Sequence, residues 1–77
     1  MDFMQDIGHR IRVCRVKSNL SQEALAEILG VTRQTVSKWE LGQSLPEIVN
    51  VIMLSRLFNV TTDALLIGQQ SNTKQGE

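Results

Sequence analysis

The sequence predicts an all-α fold, a compact bundle of five helices in a single domain. Apolar residues recur at steps of three and four along several segments, which is the spacing that gives a helix one apolar face. Serine or threonine stands just before several of those segments, where a side-chain hydroxyl can cap a helix. Glycine follows several of them, and glycine readily adopts the left-handed backbone conformation that ends a helix.

The first helix is predicted from Phe3 to Lys17. Its apolar positions are separated by 4, 4 and 3 residues: Phe3, Ile7, Ile11 and Cys14. Because this spacing places them on one face, we expect that face to enter the core, with Cys14 as a small buried apolar residue. Asn19 and Ser21 interrupt the helix.

The second and third helices are predicted to be short and close together. Ser21 can cap a helix over Gln22–Leu29, and Gly30 ends it. Thr32 can cap the next helix, over Arg33–Leu41. The sequence therefore predicts two helices joined by one sharp, glycine-centred corner.

Three small or branched residues suit such a corner. Ala26 allows the two helices to approach closely, Gly30 takes the positive φ of the corner, and Val36 points back at the second helix. Trp39 shares the inward side of the third helix with Val36, so we assign it to the core rather than to base stacking. This pattern is typical of a helix-turn-helix. It leaves four polar residues outward on the third helix: Arg33, Gln34, Ser37 and Lys38.

The fourth helix is predicted over Glu47–Phe58, after Gly42, with Pro46 at its start, where a missing N–H costs nothing. One face consists of Ile48, Ile52, Ser55 and Phe58. Apolar residues also cover much of the remaining circumference: Val49, Val51, Met53, Leu54 and Leu57. Because a helix with so much apolar surface needs a second contact, some of these residues should be buried outside the main helix packing.

A short fifth helix is predicted over Asp63–Ile67, capped by Thr61 or Thr62 and ended by Gly68. The domain is therefore expected to span residues 1–68. Residues 69–77 are polar and are expected to form a disordered tail.

The composition excludes several classes of function. A single Cys14 cannot form a disulfide within the chain, and with His9 it cannot supply a usual four-ligand zinc site. No nucleophile motif accompanies the lone histidine, to which we assign no role, so we expect neither catalysis nor a cofactor. Acidic residues near Met1 and the absence of a long apolar run predict a cytoplasmic protein with no membrane partner.

The distribution of charge is informative although the formal net charge is zero. Residues 7–38 contain six basic and two acidic side chains, a net charge of +4, and the flanking segments carry −4. Such polarity suits one face that binds an anionic polymer and an acidic far side. Arg10, Arg12 and Lys17 either steer DNA or form a solvated helix face, and the sequence leaves both open.

Several segments together resemble a known family: LSQEALAE at 20–27, RQTVSKWE at 33–40 and VTTDALL at 60–66, with Gly30, Val31, Gly42 and Pro46. They are similar to the Xre-type regulators, the phage repressor and Cro class, over Ile7 to Leu66. The resemblance implies a lambda-repressor-like, five-helix DNA-binding domain whose helix-turn-helix is formed by helices 2 and 3.

The resemblance also implies roles for individual residues. It places base reading at Thr32, Arg33, Gln34 and Lys38. It places phosphate contact or positioning at Ser21, Gln22, Ser37, Gln43 and Ser44. It implies an ion pair between Arg15 and Glu40, which would be structural, like Ala26, Gly30, Val36 and Trp39. An ordinary exposed polar surface is the alternative for the outward side chains, Gln22 included.

The function implied is that of a sequence-specific transcriptional repressor that binds double-stranded DNA as a homodimer, without a small-molecule ligand. Its operator would be an inverted repeat with one copy of helix 3 in each of two successive major grooves. The apolar excess of helix 4, with Leu65, Leu66 and Ile67, is the expected dimer surface, and closure of the monomer core is the alternative. A further alternative is an antitoxin-like or adaptor protein whose main partner is another protein.

Overall fold

A computed structural model describes residues 2–68, and these form five α-helices. They are α1 (Phe3–Lys17), α2 (Gln22–Leu29), α3 (Arg33–Glu40), α4 (Ile48–Phe58) and α5 (Thr62–Leu66). The predicted all-α, five-helix fold is confirmed, while the predicted tail, residues 69–77, lies outside the described residues. None of the helices within 2–68 has the length and apolar character needed to cross a membrane.

Four of the helices begin with the same capping hydrogen bond. The side chains of Asp2, Ser21, Thr32 and Thr61 each accept from the main-chain N–H three residues later, at distances of 2.8 to 3.2 Å. The caps predicted at Ser21 and Thr32 are therefore confirmed, and Thr61 rather than Thr62 caps α5. These side-chain oxygens, one of a carboxylate and three of hydroxyls, satisfy main-chain donors that the first helical turn leaves without a partner.

Four predicted helix limits differ by one residue. α3 ends at Glu40, with Leu41 as its cap, and α5 covers Thr62–Leu66 rather than 63–67. α4 begins at Ile48 because Glu47 has extended backbone angles and serves as the cap without a side-chain hydrogen bond. Pro46 therefore precedes the cap and does not lie in the first turn.

The core lies where α1, α3 and α5 meet α2 and α4. It contains Ile7, Ile11, Leu25, Ala26, Leu29, Val36, Trp39, Leu54 and Leu65. Cys14 is only half-buried at its edge, and Phe3, predicted to share the buried face of α1, is 57% exposed. The first turn of α1 projects past the core. The apolar spacing of α1 therefore predicted a longer buried face than the helix has.

The buried side of α4 contains only part of the face that the spacing outlined, namely Ser55 and the half-buried Phe58. Val51, Leu54 and Ser55 point inward, whereas Ile48 is 70% exposed and Ile52 39% exposed. The buried hydroxyl of Ser55 donates to the carbonyl of Ile52 at 2.8 Å, so no hydrogen-bonding capacity is lost there. This orientation leaves an apolar face of α4 uncovered in the single chain.

Candidate nucleic-acid interface

The corner between α2 and α3 is built by Gly30. Its φ of 73° and ψ of 30° are left-handed, and its N–H bonds back to the carbonyls of Ala26 and Glu27. A Cβ added there would meet no atom within 4 Å, so it is the backbone angle, and not a lack of space, that favours glycine. Ala26 is 3% exposed and Val36 is fully buried, as a close crossing of two short helices demands.

α3 divides cleanly into a buried and an exposed side. Val36 and Trp39 are buried, whereas Arg33, Gln34 and Lys38 are exposed. The structure therefore brings three of the four predicted base-reading side chains to one surface.

The fourth predicted base reader, Thr32, is also exposed, but its hydroxyl is already engaged. Its Oγ1 accepts from the Thr35 N–H at 3.2 Å and lies 2.9 Å from Thr35 Oγ1. The methyl group of Thr32 takes no part in these bonds and is available to a ligand. The sequence did not single out Thr35, although its place three residues after a capping threonine is a usable signal.

Gln22 connects the start of α2 to both ends of α3. Its Nε2 donates to Glu40 Oε1 at 3.0 Å, and Arg33 Nη1 donates to its Oε1 at 3.4 Å. Gln22 is half-buried. The arrangement ties the first residue of α3 to the start of α2, in keeping with the positioning role that the resemblance implies for Gln22.

Arg15 and Glu40 form a bidentate ion pair between α1 and the end of α3. Arg15 Nε and Nη2 donate to the two carboxylate oxygens at 2.6 and 3.1 Å. Their side chains are 13% and 4% exposed, and Arg15 Nη1 also donates to the Leu20 carbonyl at 2.8 Å. The hydrogen bonds to Glu40 raise the pKa of the Arg15 guanidinium above its ordinary value, so this arginine remains charged and occupied.

The predicted phosphate-contacting residues lie around the rim of the α3 surface. Ser21 and Gln43 are exposed, while Ser37 and Ser44 are half-buried. Ser21 Oγ is used in capping α2. The loop that carries Gln43 is tied to α3 by a hydrogen bond from its N–H to the Lys38 carbonyl at 2.8 Å, which gives this loop a fixed place beside Lys38.

The basic residues of the first half of the chain do not all face outward. Arg10 donates from Nε and Nη2 to the carbonyls of Leu65 and Leu66 at 2.6 and 2.8 Å. Arg10 thus caps the end of α5, and Arg15 binds Glu40. The +4 charge of residues 7–38 therefore overstates the positive charge available on the surface, because two of its six cations serve the fold.

An open groove separates the start of α2 from the start of α3. Two carboxylates, of Glu23 and Glu27, line it together with Arg33 and Gln34. The exposed side of α3 therefore borders a region of mixed charge, which favours selective polar contacts over general attraction of a polyanion. Within residues 2–68, no three histidine, cysteine or carboxylate side chains cluster in a way that could hold a metal ion.

Comparison with known proteins gives consistent matches. The sequence model of the family described as helix-turn-helix matches residues 11–65. The SPbeta prophage-derived uncharacterized HTH-type transcriptional regulator YonR of Bacillus subtilis (strain 168) is 39% identical over 61 residues, covering 79% of this chain and 56% of YonR. Control protein C.SmaI of Serratia marcescens is 32% identical over 76 residues, covering 99% of this chain and 90% of that protein.

The repressor C2 of Salmonella phage P22 matches in both sequence and structure. It is 36% identical over 69 residues, covering 90% of this chain and 32% of the repressor. A crystal structure of the P22 c2 repressor in complex with a synthetic operator gives a TM-score of 0.77 at 35% identity, covering 82% of this chain and 96% of that chain. The chain spans about half the length of YonR and about a third of the length of the P22 repressor.

Proposed function

Because the chain belongs to the helix-turn-helix family of transcriptional regulators, we propose that it is a sequence-specific, double-stranded DNA-binding repressor. The observation that carries the proposal is the exposed side of α3, where Arg33, Gln34 and Lys38 project from a helix anchored by Val36 and Trp39. A rigid helix with exposed polar side chains along one side fits the major groove. The related P22 repressor, solved with a synthetic operator, supports it.

Each proposed base reader has a chemical preference. The guanidinium of Arg33 can donate to guanine O6 and N7, and the amide of Gln34 can pair with adenine N6 and N7. Lys38 can reach guanine acceptors from the second turn, and the Thr32 methyl can contact a thymine methyl. A good bidentate contact discriminates against the wrong base by about 1 to 3 kcal/mol.

We assign the rim of this surface to the DNA backbone. Five residues of the rim are polar and uncharged: Ser21, Gln22, Ser37, Gln43 and Ser44. The N-terminus of α2 also attracts anions. Such contacts set the register of α3 without reading sequence. With few free cations near them, one domain should bind DNA weakly, and two half-sites are needed for useful affinity.

A homodimer supplies a second copy of α3 for the second half-site of the operator. We assign the outer face of α4 to the contact between the two protomers. Five apolar side chains on this helix are more than a third exposed: Ile48, Val49, Ile52, Met53 and Leu57. Ile67, just after α5, is 60% exposed, and Leu66 is half-buried. Leu65, also expected at the dimer surface, is 2% exposed and belongs to the monomer core. Self-association would bury this surface and place the two copies of α3 about 34 Å apart, one turn of DNA.

The same apolar face also suits the alternative, in which a different protein is the main partner, as for an antitoxin or an adaptor. The two functions differ in what they require of α3. A protein that acts only through a partner has no need for selective base readers, whereas a repressor loses its operator preference when they are removed.

Selection of bound sequences from a random duplex library tests the proposal, at about 0.1 M salt so that nonspecific binding is held down. We expect an enriched inverted repeat. Arg33→Ala and Gln34→Ala should each relax the preference at a different, single base position in each half-site. If the wild-type protein enriches no sequence, the proposal fails and the search turns to a protein partner.

A further inference from the structure

One carboxylate oxygen of Glu40 serves two donors. Oε1 accepts from Arg15 Nη2 at 3.1 Å and from Gln22 Nε2 at 3.0 Å. A carboxylate paired with a guanidinium is charged and can only accept hydrogen bonds. Gln22 must therefore present its NH₂ group to Glu40, and this contact fixes the orientation of the Gln22 amide.

The opposite end of the same amide faces α3. Because the NH₂ group is held by Glu40, the amide oxygen points away from it, and Arg33 Nη1 donates to this oxygen at 3.4 Å. At that length the hydrogen bond biases the guanidinium rather than locking it. If the amide were reversed, its NH₂ group would face the guanidinium. Because both groups are donors, they would repel each other and Arg33 would move away.

We propose that Glu40 is a positioning residue for base reading, which acts on Arg33 through the amide of Gln22. The inference rests on the proposed DNA-reading function. The Glu40 side chain is 4% exposed, so it has no access to DNA and its influence must pass through its neighbours. The ion pair that joins α1 to α3 then also sets the direction of a specificity-determining side chain.

Two variants break this chain of contacts in different places. Gln22→Met keeps the length of the side chain and removes both of its hydrogen bonds. The double variant Arg15→Met, Glu40→Met replaces the ion pair by apolar side chains, an exchange that proteins often tolerate without loss of stability. It leaves Gln22 in place but without the acceptor that orients it.

Both variants are compared with the wild-type protein by selection from the random duplex library, after thermal unfolding has verified that each is folded. The base position read by Arg33 is the one that Arg33→Ala relaxes. We expect the preference at that position to fall by about three- to tenfold, part of the discrimination that an arginine–guanine pair can give. Preference at the position read by Gln34 should persist.

Gln34→Met is the matched control, because it is the same chemical change on the reading surface but outside the contacts of Glu40. It should relax its own base position and leave that of Arg33 intact. If the wild-type protein selects an operator and both test variants keep the Arg33 preference, or lose affinity equally at all positions, the positioning role is overturned while the proposed function stands. If the double variant does not fold, Glu40→Gln takes its place, because its amide keeps one acceptor for Arg15 but no longer offers two acceptor oxygens that fix the direction of the Gln22 amide. A wild-type protein that selects nothing overturns the proposed function itself.

Discussion

The α-carbon of Gly8 lies directly against the main-chain carbonyl oxygen of Trp39, where α1 packs on the end of α3. A Cβ at position 8 would overlap that oxygen and would stand 3.0 Å from the carbonyl carbon and oxygen of Glu40. Since the atoms in the way belong to the backbone, no change of rotamer could relieve the contact. The packing of α1 on α3 therefore depends on the absence of a side chain at Gly8.

Gly8→Ala should destabilise the protein, although alanine is the better helix former by about 1 kcal/mol. Overpacking against a backbone should lower the free energy of unfolding by about 1–3 kcal/mol, measured by urea denaturation. Gly30→Ala is the comparison, because its Cβ would meet nothing within 4 Å. Only the positive φ disfavours alanine there, and it should lower the free energy of unfolding by about 1–2 kcal/mol. A Gly8→Ala protein as stable as the wild type would contradict the close packing.

The Arg15–Glu40 pair should show strong coupling in a double-mutant cycle. Arg15→Met or Glu40→Met alone leaves a buried charge without its partner and should cost about 3–5 kcal/mol of unfolding free energy. The double variant should cost clearly less than the sum of the two. Urea denaturation of the four proteins measures the coupling; single effects that add to within about 0.5 kcal/mol would show that the pair is energetically unimportant.

Arg10→Met should loosen α5. The two hydrogen bonds from the guanidinium to the carbonyls of Leu65 and Leu66 involve a charged donor, and together they should contribute about 1.5–3 kcal/mol. We expect a lower melting temperature and faster amide exchange in α5, with proteins compared at equal concentration. Arg12→Met, on the same helix and exposed, is the control. Equal melting temperatures for the two variants would argue against the role of Arg10.

The Cys14 thiol should react slowly in the folded protein. Burial raises its pKa, and the nearby charge of Lys17 offsets part of that effect. Alkylation by iodoacetamide should therefore begin at higher pH than in urea-unfolded protein, and Lys17→Met should shift it higher still.

The same raised pKa has a consequence for stability. The folded state disfavours the thiolate, so the contribution of Cys14 is complete below the pKa of the unfolded thiol. It is lost as the pH rises through the pKa of the folded one. Cys14→Ala should remove this part of the pH dependence. Identical alkylation profiles for folded and unfolded protein would refute the burial effect.

Ile52→Glu should prevent self-association, because it puts a charge in the middle of the apolar face of α4. Sedimentation equilibrium at micromolar protein should give a monomer for this variant and a dimer for the wild type. Val16→Glu, at an apolar residue of α1 that is 55% exposed, should remain dimeric. A monomeric wild type at high micromolar concentration would exclude α4 as a dimer surface.

Local signals account for most of what the sequence could predict. α1 and α2 begin and end at the predicted residues. The limits of α2 follow from the hydroxyl cap of Ser21 and from Gly30, which act within a few positions, and those of α1 follow from its apolar spacing and the break at Asn19. The inward and outward sides of α3 were also correct, since one inward pair, Val36 and Trp39, fixes the phase of a short helix.

Features that depend on distant parts of the chain could not be predicted from local sequence signals. α4 is apolar around most of its circumference, so its spacing could not decide between Ile48 with Ile52 and the buried Val51 with Leu54. The partners of Arg10 are main-chain carbonyls 55 and 56 residues away, and no pattern of side chains marks them. The contact between Gly8 and the Trp39 carbonyl is equally invisible before the fold is known.

The empty space around the corner of the motif has a bearing on how related sequences are recognised. Two other helix ends in this chain adopt left-handed angles without glycine, at Asn19 with a φ of 60° and Asn59 with a φ of 57°. Since Gly30 is constrained by its dihedral angle and not by volume, asparagine could occupy the corner at small cost. A search pattern built on this structure would therefore admit asparagine at the corner and keep a small residue at position 26, where the two helices approach closely.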